Sequence, residues 1–414
     1  MSRAPRRGGV KAPEPRLASS AARVRHGAGL RLAGSRERVL ACAALTMLPV
    51  RAITPTPSSD HLALGVSVRE RAPAVSAVHH IDADGTVWAS HGRVVLRRAR
   101  GVGAFEPFCR FPAAMPRDAM AFQRLLVRAA RADKCNVYRT SRGVVIGVRA
   151  GTIYRLEEGR DPAPLGTIAG DCVLHRGIAE DPLGAAYLGE YTRNERRGPV
   201  RVHRVAPDGD RVDVAHEFSA RSVRHVHGIF ADPFDAGAAW VTTGDLDGEC
   251  YLWRTRDWFR TIERFGDGTQ RWRAVQLFFT ADHVCWLTDS EVTQNHACRA
   301  DRRTLALEVG CAIPASAWHG AQLPGPVLIA LTVVERGAGV HRDTAAVLAS
   351  RDGITWRELA CFRKDRWSPY WLFKNGVLTL PSGHLRQDDL WLSGEALVGL
   401  DGSSVRIAID GGLP

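Results

Sequence analysis

Phe230-Ala-Asp-Pro233, Ala238-Ala-Trp-Val241 and Leu252-Trp-Arg-Thr255 follow one another within a single short stretch of the chain. The first closes an apolar run on an acidic turn. The second is a compact run of small, aromatic and β-branched residues, and the third ends on charged and hydroxyl positions. Runs of this length, bounded by Gly, Pro and Asp, read as β-strands joined by tight turns. The same order recurs on both sides. The central run returns as Thr86-Val-Trp-Ala89, Val144-Val-Ile-Gly147, Ala185-Ala-Tyr-Leu188, His283-Val-Cys-Trp-Leu287, Val327-Leu-Ile-Ala330 and Val377-Leu-Thr-Leu380. With Ala238 included, successive starts lie 58, 41, 53, 45, 44 and 50 residues apart. The acidic turn before it returns as Ile81-Asp-Ala-Asp-Gly85, Ala179-Glu-Asp-Pro182 and Thr280-Ala-Asp282. The strand after it returns as Val95-Leu-Arg-Arg98, Ile153-Tyr-Arg-Leu156 and Val202-His-Arg-Val205.

An outer strand follows in each unit, as in Arg211 to Phe218 or Trp356 to Phe362, so a unit holds four antiparallel strands, A to D. One such sheet leaves two apolar faces wet, and packing the sheets radially about an axis buries both. The spacing is that of propeller blades. The fold class expected is therefore all-β: a β-propeller of seven four-stranded blades between about residues 74 and 412, with six as the alternative. Residues 62–68 are placed to close the ring as an outer strand. A helical period occurs over Arg117 to Ala132, with Phe122, Leu125, Leu126 and Ala129 on one face.

The 414 residues carry a net charge of +12, 45% hydrophobic residues and 24% charged ones, as a water-soluble globular chain does. Residues 1–50 hold nine Arg and one Lys against Glu14 and Glu37, so most of the excess charge sits there. This division predicts a disordered basic tail over 1–55, with Met47 as an alternative start, and a propeller over 60–414. The propeller keeps little charge with which to attract nucleic acid. The sequence has no apolar run long enough for a membrane helix. Nine scattered Cys without a CxxC pair suit reduced thiols in a cytoplasm. A short apolar segment at 39–52 loosely fits an export signal, which leaves secretion as the alternative. No nucleotide-binding, zincin or serine-hydrolase motif occurs, and no cofactor is expected.

Strand alternation puts the D–A connections and B–C loops on one face of the disc, and the A–B and C–D turns on the other. The first set gathers the polar residues that suit chemistry. Glu190, Asp245, Asp289 and His227 are the candidate catalytic residues. Arg176, Tyr191, Asn194, His225, Gln270, Trp272, Arg273, Asn295 and Glu335 are the candidate substrate-binding ones. Arg176, His227 and Arg273 share a register in successive blades, which suits an anionic or hydroxylated ligand, an Arg fork gripping its carboxylate. The plainer reading makes Asp245 and Asp289 turn caps and the Trp side chains inter-blade core. His225-Val-His227 places two rings on one side of a strand. Two His without a fixed third ligand make half a metal site, so no metal is expected.

Ser350-Arg-Asp-Gly-Ile-Thr-Trp356 has the form of an Asp-box, and Thr255 to Thr261 is a degenerate copy two blades earlier. On these motifs the chain resembles the sialidase-like BNR/Asp-box propellers. Gly189-Glu-Tyr-Thr-Arg-Asn194, Arg224-His-Val-His-Gly228, Thr243-Gly-Asp245, Gln270-Arg-Trp-Arg273 and Thr288-Asp-Ser-Glu291 look like uncharacterised bacterial members of that group. The resemblance implies a carbohydrate partner and a glycoside hydrolase-type enzyme acting on an acidic saccharide, with carboxylates from Glu190, Asp245, Asp289 and Glu335. Arg176 and Arg273 would stand for two of the three sialidase arginines. The Arg-Ile-Pro element of the first blade is absent, and the adjacent Glu190 and Tyr191 face opposite sides of their strand. Two alternatives stand beside this: a lyase with His225 or His227 as base, and a non-catalytic propeller binding a glycan or a protein.

Overall fold

A computed structural model describes residues 61–62, 65–101, 103–368 and 374–410. The expectations for the basic tail and the export-like segment lie outside these residues. Seven sheets form the blades of a β-propeller. Blade 1 holds strands Ala77–Ile81, Val87–His91, Val94–Arg98 and Glu106–Arg110. Blade 2 holds Asn136–Arg139, Val145–Arg149, Thr152–Leu156 and Ala163–Thr167, and blade 3 holds Ile178–Glu180, Ala186–Gly189, Val200–Val205 and Val212–Phe218. Blade 4 runs Val226–Ala231, Ala239–Thr243, Cys250–Thr255 and Glu263–Gly268. Blade 5 runs Phe278–Phe279, His283–Leu287, Asn295–Asp301 and Leu307–Ile313. Blade 6 runs Ala317–Leu323, Val327–Thr332, Thr344–Ser350 and Arg357–Arg363.

Blade 7 is closed by strands from both ends of the fold. Val377–Thr379, Leu390–Glu395 and Ser403–Ile409 supply its A, B and C strands, and Val66–Ala72 pairs antiparallel with Ser403–Ile409 as the D strand. Ring closure is thus by hydrogen bonds and packing. The closing strand overlaps the expected segment, shifted toward the first blade. One register expectation fails here: Val377-Leu-Thr is the A strand of blade 7, not its B strand. The cause is a long A–B connection, in which Ser382–Gly383 pairs parallel with Ala77–Ile81 of blade 1.

The apolar pattern follows from radial stacking. A central strand such as Ala239–Thr243 is buried along its whole length, because a neighbouring blade covers each face. An outer strand such as Val212–Phe218 mixes exposed and buried positions. The core is therefore a ring of layers. Apolar clusters join blades 1 and 2, 2 and 3, 3 and 4, 4 and 5, and 5 and 6, and one cluster spans blades 6, 7 and 1. The expected helix is a 3-10 turn at Arg117–Met120 and an α-helix at Arg124–Ala130. Phe122 lies between them and is 79% exposed, outside the face assigned to it. Among the described residues no helix is long and apolar enough to cross a membrane.

The A–B turns repeat one device. Asp82, Asp181 and Asp232 accept hydrogen bonds from Trp88 Nε1, Tyr187 Oη and Trp240 Nε1 of the following strand. The Asp-box does the same for a C–D turn. Asp352 Oδ1 accepts from the amides of Ile354 and Thr355 and from Ser350 Oγ, and Trp356 packs on Phe278. Gly353 has φ +75°, and a Cβ there would lie 2.6 Å from Cys285 Sγ, so the turn requires glycine on both counts. Asp257 ties the degenerate copy through Thr255 and Thr261, and Asp301 does so in blade 5 through Thr304.

Candidate functional site

A cavity of about 800 Å³ opens on the axis at the D–A/B–C face. Every blade contributes to its wall, from Ser76 at the start of blade 1 to Glu395 at the end of the B strand of blade 7. Of the candidates, Tyr191, His225, Asp245 and Glu335 line it.

The wall facing blades 3 to 5 is built from interlocked charges. His225 and His227 flank Val226 at the start of blade 4, and their Nε2 atoms meet at 3.0 Å. His225 Nδ1 stands 2.7 Å from the Thr192 carbonyl, and His227 Nδ1 stands 2.9 Å from that of Ala274. A carbonyl accepts only, so each Nδ1 is the protonated donor. Asp245 Oδ1 lies 3.3 Å from His227 Nε2 and 3.5 Å from His225 Nε2. Its Oδ2 accepts from Arg224 Nη1 at 2.6 Å. Burial pushes the Asp245 carboxyl pKa up, but the two imidazoles outweigh it and hold the group well below the usual range. Tyr191 tilts over His225, with ring centroids 4.5 Å apart, and burial pushes its phenol pKa up.

Arg273 lies behind this wall, 6% exposed. Its guanidinium meets Asp245 Oδ1 at 3.3 Å and donates to Glu291 Oε2 at 2.5 Å. Its Nε stands 3.2 Å from Asp289 Oδ2, an ion pair whose geometry falls short of a hydrogen bond. Three acidic partners from two blades hold it, so the fork expected to grip a ligand carboxylate already grips the protein's own. Gln270 supports it, donating to the Asp245 carbonyl at 3.0 Å. Asp289 accepts from Trp318 Nε1 at 2.7 Å. Burial raises the Asp289 pKa to about 7 against the pull of Arg273, and burial does the same for Glu335. Glu335 Oε1 is buried without a hydrogen-bond partner.

The other candidates lie elsewhere. Glu190 accepts from His203 Nε2 and from the amides of Arg201 and Ala169. Burial raises its pKa, but those donors lower it further. It fastens blade 3 to the connection before it and does not line the cavity. Asn194 closes its own loop through Gly198 and the Arg224 carbonyl. Asn295 is fully buried and bonds Ser290, Thr288 and Gly339, tying down a B–C loop. Trp272 stacks on Trp286 between blades 4 and 5. Arg176 donates to the Pro381 carbonyl, away from Arg273, and burial pulls its pKa down to about 10.

The opposite wall was not foreseen. Lys134 donates to Glu395 Oε2 at 2.6 Å, and Arg131 to Asp171 Oδ2 at 2.8 Å. Lys374 is 9% exposed, and burial pulls its ammonium down to about 7. Arg131 and Lys134 come from the insertion between blades 1 and 2, and Lys374 and Glu395 from blade 7 and the segment leading into it, where the repeat is least regular; Asp171 lies in the connection between blades 2 and 3. His79, His175 and His319 meet between the walls, with His79 and His175 stacked at 5.3 Å and His175 and His319 edge-on at 6.0 Å. Arg224 was visible in its motif, and its value as the partner of Asp245 follows from the fold.

No family model matches the chain, and neither does any curated protein. Solved structures match as propellers. The RRP9 WD40 repeats superpose with a TM-score of 0.50 at 11% identity, covering 84% of this chain and 99% of that one. U3-55K gives 0.49 at 11% identity over 84% and 99%, and Sqt1 of Saccharomyces cerevisiae gives 0.45 at 10% over 81% and 83%. At these identities the likeness bears on the fold alone. The chain is a seven-bladed β-propeller, and its Asp-box stands as a turn motif without a family match to sialidases.

Proposed function

We propose that this chain is a non-catalytic binding propeller whose axial cavity takes an anionic, hydroxylated ligand, with an acidic saccharide as the leading class. The observation that carries this reading is how the acids are held. Glu190 is bonded to amides and a histidine, Asp245 to two arginines, and Asp289 to Arg273 and Trp318. Glycoside hydrolysis needs two carboxylates free to work on the substrate across a fixed gap. Of the four candidate carboxylates, these three are engaged with the protein, and Glu335 alone keeps an oxygen without a partner, one short of the pair that hydrolysis requires. Cationic groups do face the cavity. Lys374 stands in its wall and Arg193 is exposed at its edge, neither with an acidic partner within ion-pair distance among the described residues. Arg193 supplies attraction that Arg273 cannot, and Lys374, its ammonium held down to about 7 by burial, is charged in only part of the molecules near neutral pH and becomes fully so when an anion binds beside it.

The test is a calorimetric titration of the full chain with acidic and matched neutral oligosaccharides, with released reducing ends and unsaturated uronates assayed in parallel. Binding of an acidic member without turnover, weakened about tenfold or more by Lys374→Met, is the expected result. Product release would replace this reading with the glycosidase or lyase one. Silence across the panel would favour a protein partner.

A further inference from the structure

Three lone-pair atoms converge at one point of the cavity wall with no proton assigned to any of them. Each imidazole donates its Nδ1 proton to a backbone carbonyl, so in the neutral rings both Nε2 atoms are acceptors. They nonetheless face each other at 3.0 Å, with Asp245 Oδ1 at 3.3 and 3.5 Å. Three acceptors this close repel unless a proton or a metal ion lies among them; a proton sits on one ring nitrogen and points at one neighbour at a time, whereas a metal ion satisfies all three lone pairs together.

We propose that His225, His227 and Asp245 bind one divalent transition-metal ion of the zinc, manganese or ferrous class. The distances fit. The point equidistant from the three atoms lies about 1.9 Å from each, and an ion just off their plane takes bonds of about 2.0–2.1 Å, as zinc does to imidazole and carboxylate. The surroundings fit as well. Ligating histidines characteristically donate the second ring nitrogen to a carbonyl or carboxylate, which fixes the tautomer and ring angle, and both rings do so here. Arg224 holds Asp245 Oδ2 and leaves Oδ1 for the ion. Arg273 Nη2 is 3.3 Å from that same Oδ1, but Asp289 and Glu291 offset its charge. Two imidazoles and one carboxylate favour first-row transition ions over magnesium or calcium. His225 and Asp245 line the cavity, so the remaining coordination positions open toward it. The site stands whatever ligand the cavity accepts, because its donors come from the chain alone.

The experiment is a titration of the chelator-treated full chain with Zn²⁺, Mn²⁺ and Mg²⁺, each alone. The expected result is one Zn²⁺ or Mn²⁺ per chain, no comparable Mg²⁺ binding, and a loss of about 100-fold or more in His225→Ala and His227→Ala. His341→Ala, on the surface, should bind as the parent does. Absence of stoichiometric binding, or binding indifferent to both substitutions, overturns the proposal. A zinc-edge anomalous map of zinc-soaked crystals of the unmodified chain decides the matter should the variants not fold. A peak among the three side chains supports the site, and a peak elsewhere or none refutes it.

Discussion

The two faces of the disc use the same residue types under different rules. On the turn face, the Asp-box carboxylates bind groups two to four residues away. Asp352 takes the amides of Ile354 and Thr355, and Asp257 takes Thr255 and Thr261. On the cavity face the partners come from distant parts of the chain. Arg273 joins acids from the B–C loops of blades 4 and 5, and Lys134 reaches Glu395, 261 residues on. A short loop that satisfies itself can be copied from blade to blade. A charge that depends on another blade is specific to one place in the ring.

The largest effect expected from this contrast is at Arg273. Arg273→Met removes the counter-charge shared by Asp245, Asp289 and Glu291 while filling the space. Removing one partner from a buried ion network costs roughly 3–5 kcal/mol. Urea unfolding of the two chains measures it. A loss below about 1 kcal/mol would mean that Arg273 is held loosely and is open to a ligand after all.

The same contrast explains what the sequence allowed one to read. The blade repeat was legible because radial packing forces a buried central strand in every unit, and Trp88, Trp240 and Trp286 mark it. The Asp-box was legible because its bonds are local. Of Arg176, His227 and Arg273, which share a register, His227 and Arg273 meet at Asp245, while Arg176 is bonded to the Pro381 carbonyl. The register carried no information on whether Arg273 would be free, since Glu291 and Asp289 reach it from the next blade. Asp245 was read as a candidate on this face, but not as the third member of the histidine cluster, for the same reason. Asp245 lies 18 residues beyond His227, at the far end of the neighbouring strand, and only strand pairing brings them together. Glu190 misled because a carboxylate on an exposed-looking loop and one bonded to its neighbour's amides have the same local sequence. Blade 7 misled because its long A–B connection breaks the repeat.

The second effect is a pH dependence that arises at the axis. Burial holds His175 down to about 4 and His79 and His319 well below their ordinary value, with Lys134 adding to the effect at His175 and the His175 ring adding to it at the other two. The unfolded chain takes up protons at these rings below about 6.5, and the folded chain takes them up only at lower pH. The three rings therefore contribute stability that is lost as pH falls from about 6.5 toward 4, while Asp289 and Glu335, raised to about 7, contribute with the opposite sign in the same window. The histidine part is isolated by comparison: urea midpoints of His175→Gln should fall less, or rise more, than those of the parent as pH goes from about 6.5 to 4. Equal slopes for both chains would place the acid sensitivity elsewhere.

The smallest effect tests the turn face on its own. Asp352→Ala leaves the amides of Ile354 and Thr355 and the Ser350 hydroxyl without their acceptor. The turn is partly open to water, which replaces some of what is lost, so the expected cost is roughly 1–3 kcal/mol. The more discriminating readout is zinc affinity. Asp352 belongs to the C–D turn of blade 6, on the face opposite the cavity, and nothing in its hydrogen bonding reaches His225, His227 or Asp245. The variant should therefore unfold at lower urea yet, while folded, bind Zn²⁺ with the affinity of the parent. A parallel loss of affinity and stability would show that the two faces are coupled through the blade, and that the contrast between local turns and shared charges is one of wiring and not of independence.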